Sequence, residues 1–234
     1  MWRADLDGVG QSLAGLLNAH ERARAQRIVR EPARSRWVAA RGVLRALLGN
    51  YLDEDPRTLR LATHEYGKPT LDSCGRAHLH FNLSHSGPLG VYALSATDPV
   101  GVDAEMIQRR TPGESAATRR ERDVALARRV FGEAMAEGLQ ALGPHARQRE
   151  LLRAWVRYEA ERKRVGIGIW GARTHTTDLN HEAAWTADLD LGSDAVGAVA
   201  LSCGPLELSL KDWPINVDCQ DSVHQFPACG SILP

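Results

Sequence analysis

Residues 81–105 constrain the fold more than any other stretch of the chain. Two short apolar runs, 91–94 and 100–105, are separated by the polar segment 95–99, which contains a proline. Runs of this length bounded by turn residues predict two strands joined by a turn. A Ser-His pair precedes the first run, and a glycine opens the second.

The second predicted strand carries two acids at a spacing of two. Successive side chains of a strand point to opposite faces, so Asp103 and Glu105 share one face while Val102 and Ala104 share the other. Two neighbouring carboxylates repel each other unless a cation lies between them. The pair therefore indicates either a solvated sheet edge or a metal site.

Composition narrows the class of protein. A chain of 234 residues forms one large domain or two small ones with a buried core. With 29 basic and 29 acidic residues it has no net charge, which argues against a nucleic-acid or membrane partner. No run of 18 apolar residues predicts a transmembrane helix, and the N-terminal residues lack the apolar core of a secretory signal.

The four cysteines, Cys74, Cys203, Cys219 and Cys229, show no CxxC spacing. We interpret them as reduced thiols of a cytoplasmic protein, with a bridge between the last two as the alternative. Lysine occurs only at positions 68, 163 and 211, in a chain otherwise rich in arginine.

Periodicity predicts the remaining elements. Residues 11–50 are predicted helical with a break at Pro32, residues 107–122 a loop, and residues 123–142 and 147–165 two helices separated by Gly143-Pro144. The segments AAWTADLDL and AVGAVALS predict final strands, and an irregular tail follows Gly204. The arginines of the second helical stretch, Arg34, Arg36, Arg41 and Arg45, are expected to solvate its outer face.

The helix over residues 147–165 offers a third acid. Trp155, Glu159 and Lys163 recur at i, i+4 and i+8, so they lie along one side of it. Glu159 and Lys163 are either an exposed ion pair or part of a site. In the second case Glu159 joins Asp103 and Glu105 around an octahedral Mg²⁺, and Lys163 neutralises a phosphate.

Four motifs occur in the order EYGKP, FNLSHSG, GVDAE and WVRYEAERKRVGIGI. Together they resemble the 4′-phosphopantetheinyl transferases, in particular the larger surfactin-synthetase-type members. The resemblance implies an α+β fold, a pseudo-dimer of two similar halves, each a small antiparallel sheet packed with helices. Residues 1–99 would form the coenzyme A-binding half, residues 100–204 the half with the metal-binding acids, and residues 205–234 an irregular extension.

The resemblance also implies roles for matching residues. Asp103, Glu105 and Glu159 correspond to ligands of Mg²⁺, and Asp103, Glu159 and Lys163 to catalytic residues. The residues implied to contact coenzyme A are Arg41, Tyr66, Gly67, Lys68, Pro69, Ser84, His85 and Lys163. Arg22, Arg24 and Arg36 match loosely as further contacts to the 3′-phosphate. Tyr158 departs from the pattern, because it stands where the family's helix motif has its first lysine.

The implied reaction is a Mg²⁺-dependent transfer of 4′-phosphopantetheine from coenzyme A to a serine of an apo acyl or peptidyl carrier protein. It releases 3′,5′-ADP and serves fatty acid, polyketide or nonribosomal peptide biosynthesis. The base that takes the serine proton is either Glu159 or a metal-bound water that Glu159 orients. The resemblance further suggests a monomer.

Alternatives remain open from the sequence. Tyr158 suggests a relative that binds coenzyme A or a carrier without turnover. The arginine-rich helices suggest a nucleic-acid module, against which the zero net charge argues, and the three acids would also suit a Mg²⁺-dependent phosphohydrolase. Single residues have plain structural alternatives: a loop hydrogen bond for His85, a solvated turn for Lys68 and a turn cap for Ser84. A metal site at His175, Asp178 and His181 fits no standard zinc spacing.

Overall fold

The structure, a computed structural model, describes residues 1–9, 12–63, 68–71, 79–107, 115–166, 184–204 and 207–214. Within them the helices are α1 (Leu6–Val9), α2 (Ala19–Gln26), α3 (Ala33–Leu52), α4 (Ala116–Phe131), α5 (Glu133–Gln140) and α6 (Pro144–Val165). The strands are β1 (Trp2–Asp5), β2 (Leu61–Thr63), β3 (Pro69–Leu71), β4 (His80–Ser86), β5 (Leu89–Ser95), β6 (Gly101–Met106), β7 (Trp185–Asp188), β8 (Ala195–Leu201) and β9 (Lys211–Asp212). This is a mixed α+β architecture, as predicted.

The first sheet has the strand order β4-β5-β1-β9. Its first three strands are antiparallel, and β9 pairs with β1 in parallel. A two-residue loop of Gly87 and Pro88 joins β4 to β5, and Gly87 has a φ of 57°, which glycine adopts without strain. The predicted strand over 91–94 is confirmed and is longer at both ends.

One face of the first sheet packs against α3. Phe81 and Tyr92 from the sheet join Val43 and Leu47 from the helix in one buried cluster. The Tyr92 hydroxyl donates to the carbonyl oxygen of Ala40 at 3.1 Å, which satisfies the one polar atom of that ring inside the core. The helix is thereby held on the sheet by both packing and a hydrogen bond.

The second sheet has the order β6-β8-β7 and is antiparallel throughout. Val102 and Ala104 lie in a buried cluster with Val91 and Ala93 of the first sheet, so the two sheets share a core. The predicted strand 100–105 and the inward face of its alternate residues are both confirmed. A two-stranded hairpin of β2 and β3 accompanies the sheets.

Helix α6 packs on the second sheet through small residues. Val156 and Ala160 contact Ala198 and Ala200 of β8 in a buried cluster. The helix ends at Val165, as predicted, but it begins at Pro144 and not at residue 147. Proline suits the first turn of a helix, so Pro144 starts α6 and does not merely separate it from α5.

Helix α6 lies very close to β6 at Gly101. A Cβ there would lie 1.9 Å from the Ala160 carbonyl oxygen and 2.4 Å from the Arg164 amide nitrogen. We expect Gly101→Ala to lower the free energy of unfolding by about 1–3 kcal/mol, because backbone must move to admit the methyl group. Urea unfolding measures this loss.

The matched control is Gly138→Ala on α5, where a Cβ meets nothing within 4 Å. It is expected to raise the free energy of unfolding by about 0.5–1 kcal/mol, since alanine is the better helix former. Equal stabilities of the Gly101→Ala variant and the parent would contradict the close approach of helix and strand.

Several predicted boundaries are wrong. Residues 12–18 contain only a short 3-10 helix, Ala14–Leu16, and not the predicted α-helix. Asn18 starts α2 with a capping box, in which its side chain and that of Glu21 bond each other's backbone amides at 2.9 and 3.0 Å. Helix α4 enters the predicted loop 107–122, since Ser115 caps it by accepting from the Thr118 amide at 3.0 Å. The helix predicted over 123–142 is interrupted at Gly132, whose φ is 91°.

The prediction of an irregular tail after Gly204 is also wrong in part. Residues Lys211–Asp212 form β9, and the following Trp213 is buried with its ring edge-on to Trp2 at 6.2 Å between centroids. The chain after the second sheet therefore returns to the first. None of the described helices is both long enough and apolar enough to cross a membrane.

Candidate active site

Asp103 and Glu105 lie on the same face of β6 as Gly101, the face that packs against α6. Asp103 has a nearly buried side chain, 7% exposed, and its Oδ1 accepts from the Lys163 ammonium and from the Ser84 hydroxyl, both at 2.7 Å. Glu105 accepts from the Ser86 hydroxyl at 2.7 Å. The pair is thus not a solvated edge, because hydroxyls and an ammonium surround it.

The third acid, Glu159, comes from α6 and is 2% exposed. Among the described residues neither of its carboxylate oxygens has a hydrogen-bond partner. Burial raises the pKa of Glu159, and the neighbouring charge of Asp103 raises it further. Burial likewise raises the pKa of Glu105, against the opposing effect of the Ser86 hydrogen bond. Buried carboxylates that influence one another in this way are typical of functional sites.

Alternate residues of β4 reach across to β6. The Asn82 side-chain oxygen accepts from the Val102 amide at 2.9 Å, and the Ser86 hydroxyl oxygen accepts from the Met106 amide at 3.1 Å. Between them, Ser84 bonds Asp103. These three side chains serve as hydrogen-bonding partners for one edge of β6 and orient both of its acids. No role was predicted for Asn82 or Ser86, although their spacing of two around Ser84 in FNLSHS was the available signal.

Lys163 lies one helical turn beyond Glu159, as its spacing predicts, and its ammonium contacts Asp103 at 2.7 Å and the Ser84 hydroxyl at 3.1 Å. The structure therefore brings Lys163, Asp103 and Ser84 together. His85 is exposed on β4, and strand alternation places it on the face opposite Ser84. Its pKa is lowered, first by desolvation and then by the charge of Lys163.

The predicted phosphate-binding arginines lie in the helical layer. Arg41 stacks over the Trp37 ring at 5.5 Å and lies 3.6 Å from a Glu21 carboxylate oxygen. Arg36 forms two 2.7 Å hydrogen bonds with Asp7, and Arg22 donates to the Leu17 carbonyl. Arg24 is exposed on α2.

The expectation that Arg45 solvates the outer face of α3 is wrong. Its side chain is fully buried and donates to Glu21 at 2.6 Å. The physical reason is the loop after α3, whose Pro56 and Leu59 carbonyl oxygens also accept from Arg45, at 2.6 and 3.2 Å. A buried guanidinium with these partners is a structural element of the first half of the chain.

The EYGKP motif is described only in its last two residues. Tyr66 and Gly67 lie outside the described residues. The Lys68 ammonium donates to three backbone carbonyl oxygens near the end of α6 and the start of β6. Pro69 and Lys68, with Phe81 and Arg164, are among the residues lining a cleft of about 320 Å³.

The three acids offer the kind of oxygen ligands that a hard divalent cation binds, although their side chains do not converge on a common point. Among the described residues, no three acidic, histidine or cysteine side chains form a group that holds a metal ion. Asp103, Glu105 and Glu159 nevertheless supply oxygen ligands of the kind that Mg²⁺ prefers, and the buried Glu159 carboxylate has no hydrogen-bond partner within the described ranges. The candidate zinc residues His175, Asp178 and His181 lie outside the described residues.

Tyr158, the departure from the family pattern, lies in an aromatic cluster. Its ring is edge-on to Phe131 at 5.9 Å and tilted against Trp155 at 6.2 Å. The Arg162 guanidinium lies 5.4 Å from the Tyr158 ring centroid and donates to its hydroxyl at 3.3 Å. The positive charge of Arg162 also favours the ionised form of Glu159. A cation is therefore retained one helical turn from the substituted position.

Comparisons with known proteins identify the family of the chain. The family model described as "4'-phosphopantetheinyl transferase, N-terminal" matches residues 2–97. The chain is 35% identical over 173 residues to the 4'-phosphopantetheinyl transferase HetI of Nostoc sp., which covers 72% of this chain and 69% of HetI. It is 32% identical over 139 residues to AcpT of Escherichia coli K12 (59% and 62% covered). It is 28% identical over 89 residues to Sfp of Bacillus subtilis (38% of each covered).

These matches show an enzyme of the transferase class, and the mixed α+β fold fits it. The chain belongs to the 4′-phosphopantetheinyl transferase family. The resemblance of the four motifs is thereby confirmed at the level of the family.

Proposed function

We propose that this enzyme transfers 4′-phosphopantetheine from coenzyme A to a serine hydroxyl of an apo acyl or peptidyl carrier protein. The serine oxygen attacks the β-phosphorus, the bond between the two phosphates breaks, and 3′,5′-ADP leaves with the bridging oxygen. Relatives named as 4′-phosphopantetheinyl transferases support this proposal. The observation that carries it is the buried Glu159 carboxylate, which has no hydrogen-bond partner in the described part of the chain and feels the charges of Asp103 and Lys163.

Asp103, Glu105 and Glu159 would hold Mg²⁺, which when bound supplies positive charge to the pyrophosphate and its leaving group. Lys163 supplies a second positive charge at the same point, since its ammonium already lies between Asp103 and Ser84. The serine proton has two candidate acceptors, Glu159 or a water that Glu159 orients. The raised pKa of Glu159 suits a group that handles a proton.

The coenzyme would contact Arg41, Lys68, Pro69, Ser84, His85 and Lys163 together with Tyr66 and Gly67. The cleft of about 320 Å³ beside Lys68 and Pro69 supports a binding region at the end of β3 nearest the motif. Ser84 and His85 point to opposite faces of β4, so we assign Ser84 to the acid cluster and His85 to the exposed side.

We also propose that the chain is a pseudo-dimer of the surfactin-synthetase type, with halves 1–99 and 100–204 and an extension from 205. A long helix packed on a small, mostly antiparallel sheet occurs twice, as α3 on the first sheet and α6 on the second. The monomeric state and the cytoplasmic location remain predictions from the sequence.

Intact-mass spectrometry tests the function. A panel of apo carrier proteins is incubated with the enzyme, coenzyme A and Mg²⁺, and we expect at least one carrier to gain one phosphopantetheine group. Asp103→Ala and added EDTA should abolish the gain. Asp188→Ala is the control, because Asp188 lies in the same sheet but pairs with Arg157 at its exposed surface.

Each failure has its own meaning. Coenzyme A binding with no modified carrier would favour a relative without turnover and make Tyr158→Lys the first reversion. Phosphopantetheine released into solution would favour a phosphohydrolase. Binding to DNA that falls steeply with salt would favour the arginine-rich binding module.

A further inference from the structure

The Lys68 ammonium lies between the end of α6 and the start of β6. It donates to the carbonyl oxygens of Lys163 at 2.7 Å, Val100 at 3.2 Å and Arg164 at 3.3 Å. An ammonium has three donor hydrogens. All three are matched by backbone acceptors, and none of those acceptors belongs to the segment that carries Lys68.

Two of these acceptors are the last carbonyls of α6. The final four carbonyls of a helix have no partner within it, and a cation near them is stabilising. Gly166, with a φ of 77°, ends α6, and its amide bonds the carbonyls of Arg162 and Lys163. Lys68 supplies the further donors, since it bonds the carbonyls of Lys163 and Arg164.

The third acceptor, Val100, directly precedes β6. The Lys68 ammonium therefore joins the end of α6 to the start of β6 beside Gly101, where the backbone of the helix lies close to the strand. Lys163 belongs to the same helical turn, and its ammonium reaches Asp103 two residues into β6. A shift of that turn would move the Lys163 ammonium relative to Asp103.

We propose that Lys68 is a positioning residue, which ties the last turn of α6 to β6 and thereby sets the contact between Lys163 and Asp103. This role is separate from the coenzyme A contact proposed above for Lys68 and does not depend on it. Its consequence for turnover rests on the proposed function, whereas its consequence for α6 does not.

Hydrogen exchange of the protein without ligand tests the structural part. We expect Lys68→Met to speed exchange of the amides of residues 163–166 by at least about tenfold, because the last turn opens more often. Lys68→Arg, which keeps donors and charge, should restore most of the protection. Lys211→Met replaces the exposed lysine of β9 and should leave exchange in α6 unchanged.

A double-mutant cycle tests the functional part. If Lys68 acts through Lys163, Lys68→Met should lower kcat about tenfold in the parent but less than about twofold in a Lys163→Met background. Additive losses would overturn the proposal, and so would unchanged exchange in α6, whether or not coenzyme A binding weakens. If Lys68→Met speeds exchange in α6 but the parent enzyme modifies no carrier, the anchoring role of Lys68 stands and the proposed function is wrong.

Discussion

Replacing Glu159 by glutamine is expected to slow phosphopantetheine transfer by about 10²- to 10³-fold without destabilising the protein. A loss of about 3–4 kcal/mol of transition-state stabilisation corresponds to this factor, and metal binding by a buried carboxylate supplies energies of that size. The fold has no need of the negative charge, since neither Glu159 oxygen has a partner among the described residues. The amide is nearly isosteric and costs less to bury than a carboxylate.

Initial rates from intact-mass spectrometry measure the first effect, and thermal unfolding measures the second. Mg²⁺ at 100 times its Kd should stabilise the parent by about 2.7 kcal/mol, and this gain should disappear in Glu159→Gln. Glu161→Gln is the matched control, because two residues along a helix turn the side chain about 200° away. A Glu159→Gln enzyme with full activity, or one that loses activity only by unfolding, would rule out the proposed role.

Arg45→Met is expected to lower the free energy of unfolding by about 3–5 kcal/mol, the largest stability effect of any single change considered. Removing one partner of a buried ion pair leaves the other charge uncompensated. Here the buried Glu21 carboxylate would keep only the longer of its two arginine contacts in the described part of the chain, with Arg41 at 3.6 Å. The Pro56 and Leu59 carbonyls would lose a donor. For a chain of this length the loss corresponds to a fall in Tm of roughly 10 °C.

Urea unfolding of Arg45→Met and of Arg34→Met provides the comparison. Arg34 makes an exposed pair with Glu31, with both side chains about 45% exposed, and its replacement should cost less than about 1 kcal/mol. Adding Glu21→Gln to Arg45→Met should recover part of the loss, since it removes a buried charge that has lost its nearest partner. Similar unfolding midpoints for the two single arginine variants would show that the buried pair contributes little.

The parts of the fold predicted from sequence are those where a local pattern decides. The strands β5 and β6 follow from short apolar runs and a turn, and the shared face of Asp103 and Glu105 follows from a period of two. The third acid was found through helical spacing. In each case the relevant neighbours lie within a few residues along the chain.

The parts that were missed depend on distant contacts. Nothing near Arg45 in the sequence indicates that Glu21 will bury beside it, 24 residues away. Lys68 meets carbonyls 95 and 96 residues further along the chain, so its contacts with the end of α6 could not be predicted from its own motif. The start of α4 was missed for a different reason, because Ser115 caps a charged segment whose apolar positions come only later.

The alternation of Asn82, Ser84 and Ser86 restricts changes of length in β4. Inserting or deleting one residue inside the strand would turn these three side chains toward α3 and present apolar residues such as Phe81 to β6. Both halves would then lose their contacts at once: the first its core, and the second the hydrogen bonds along the β6 edge. Engineering that lengthens or shortens this hairpin therefore belongs in the loops at its ends, because the strand itself behaves as a block of fixed length.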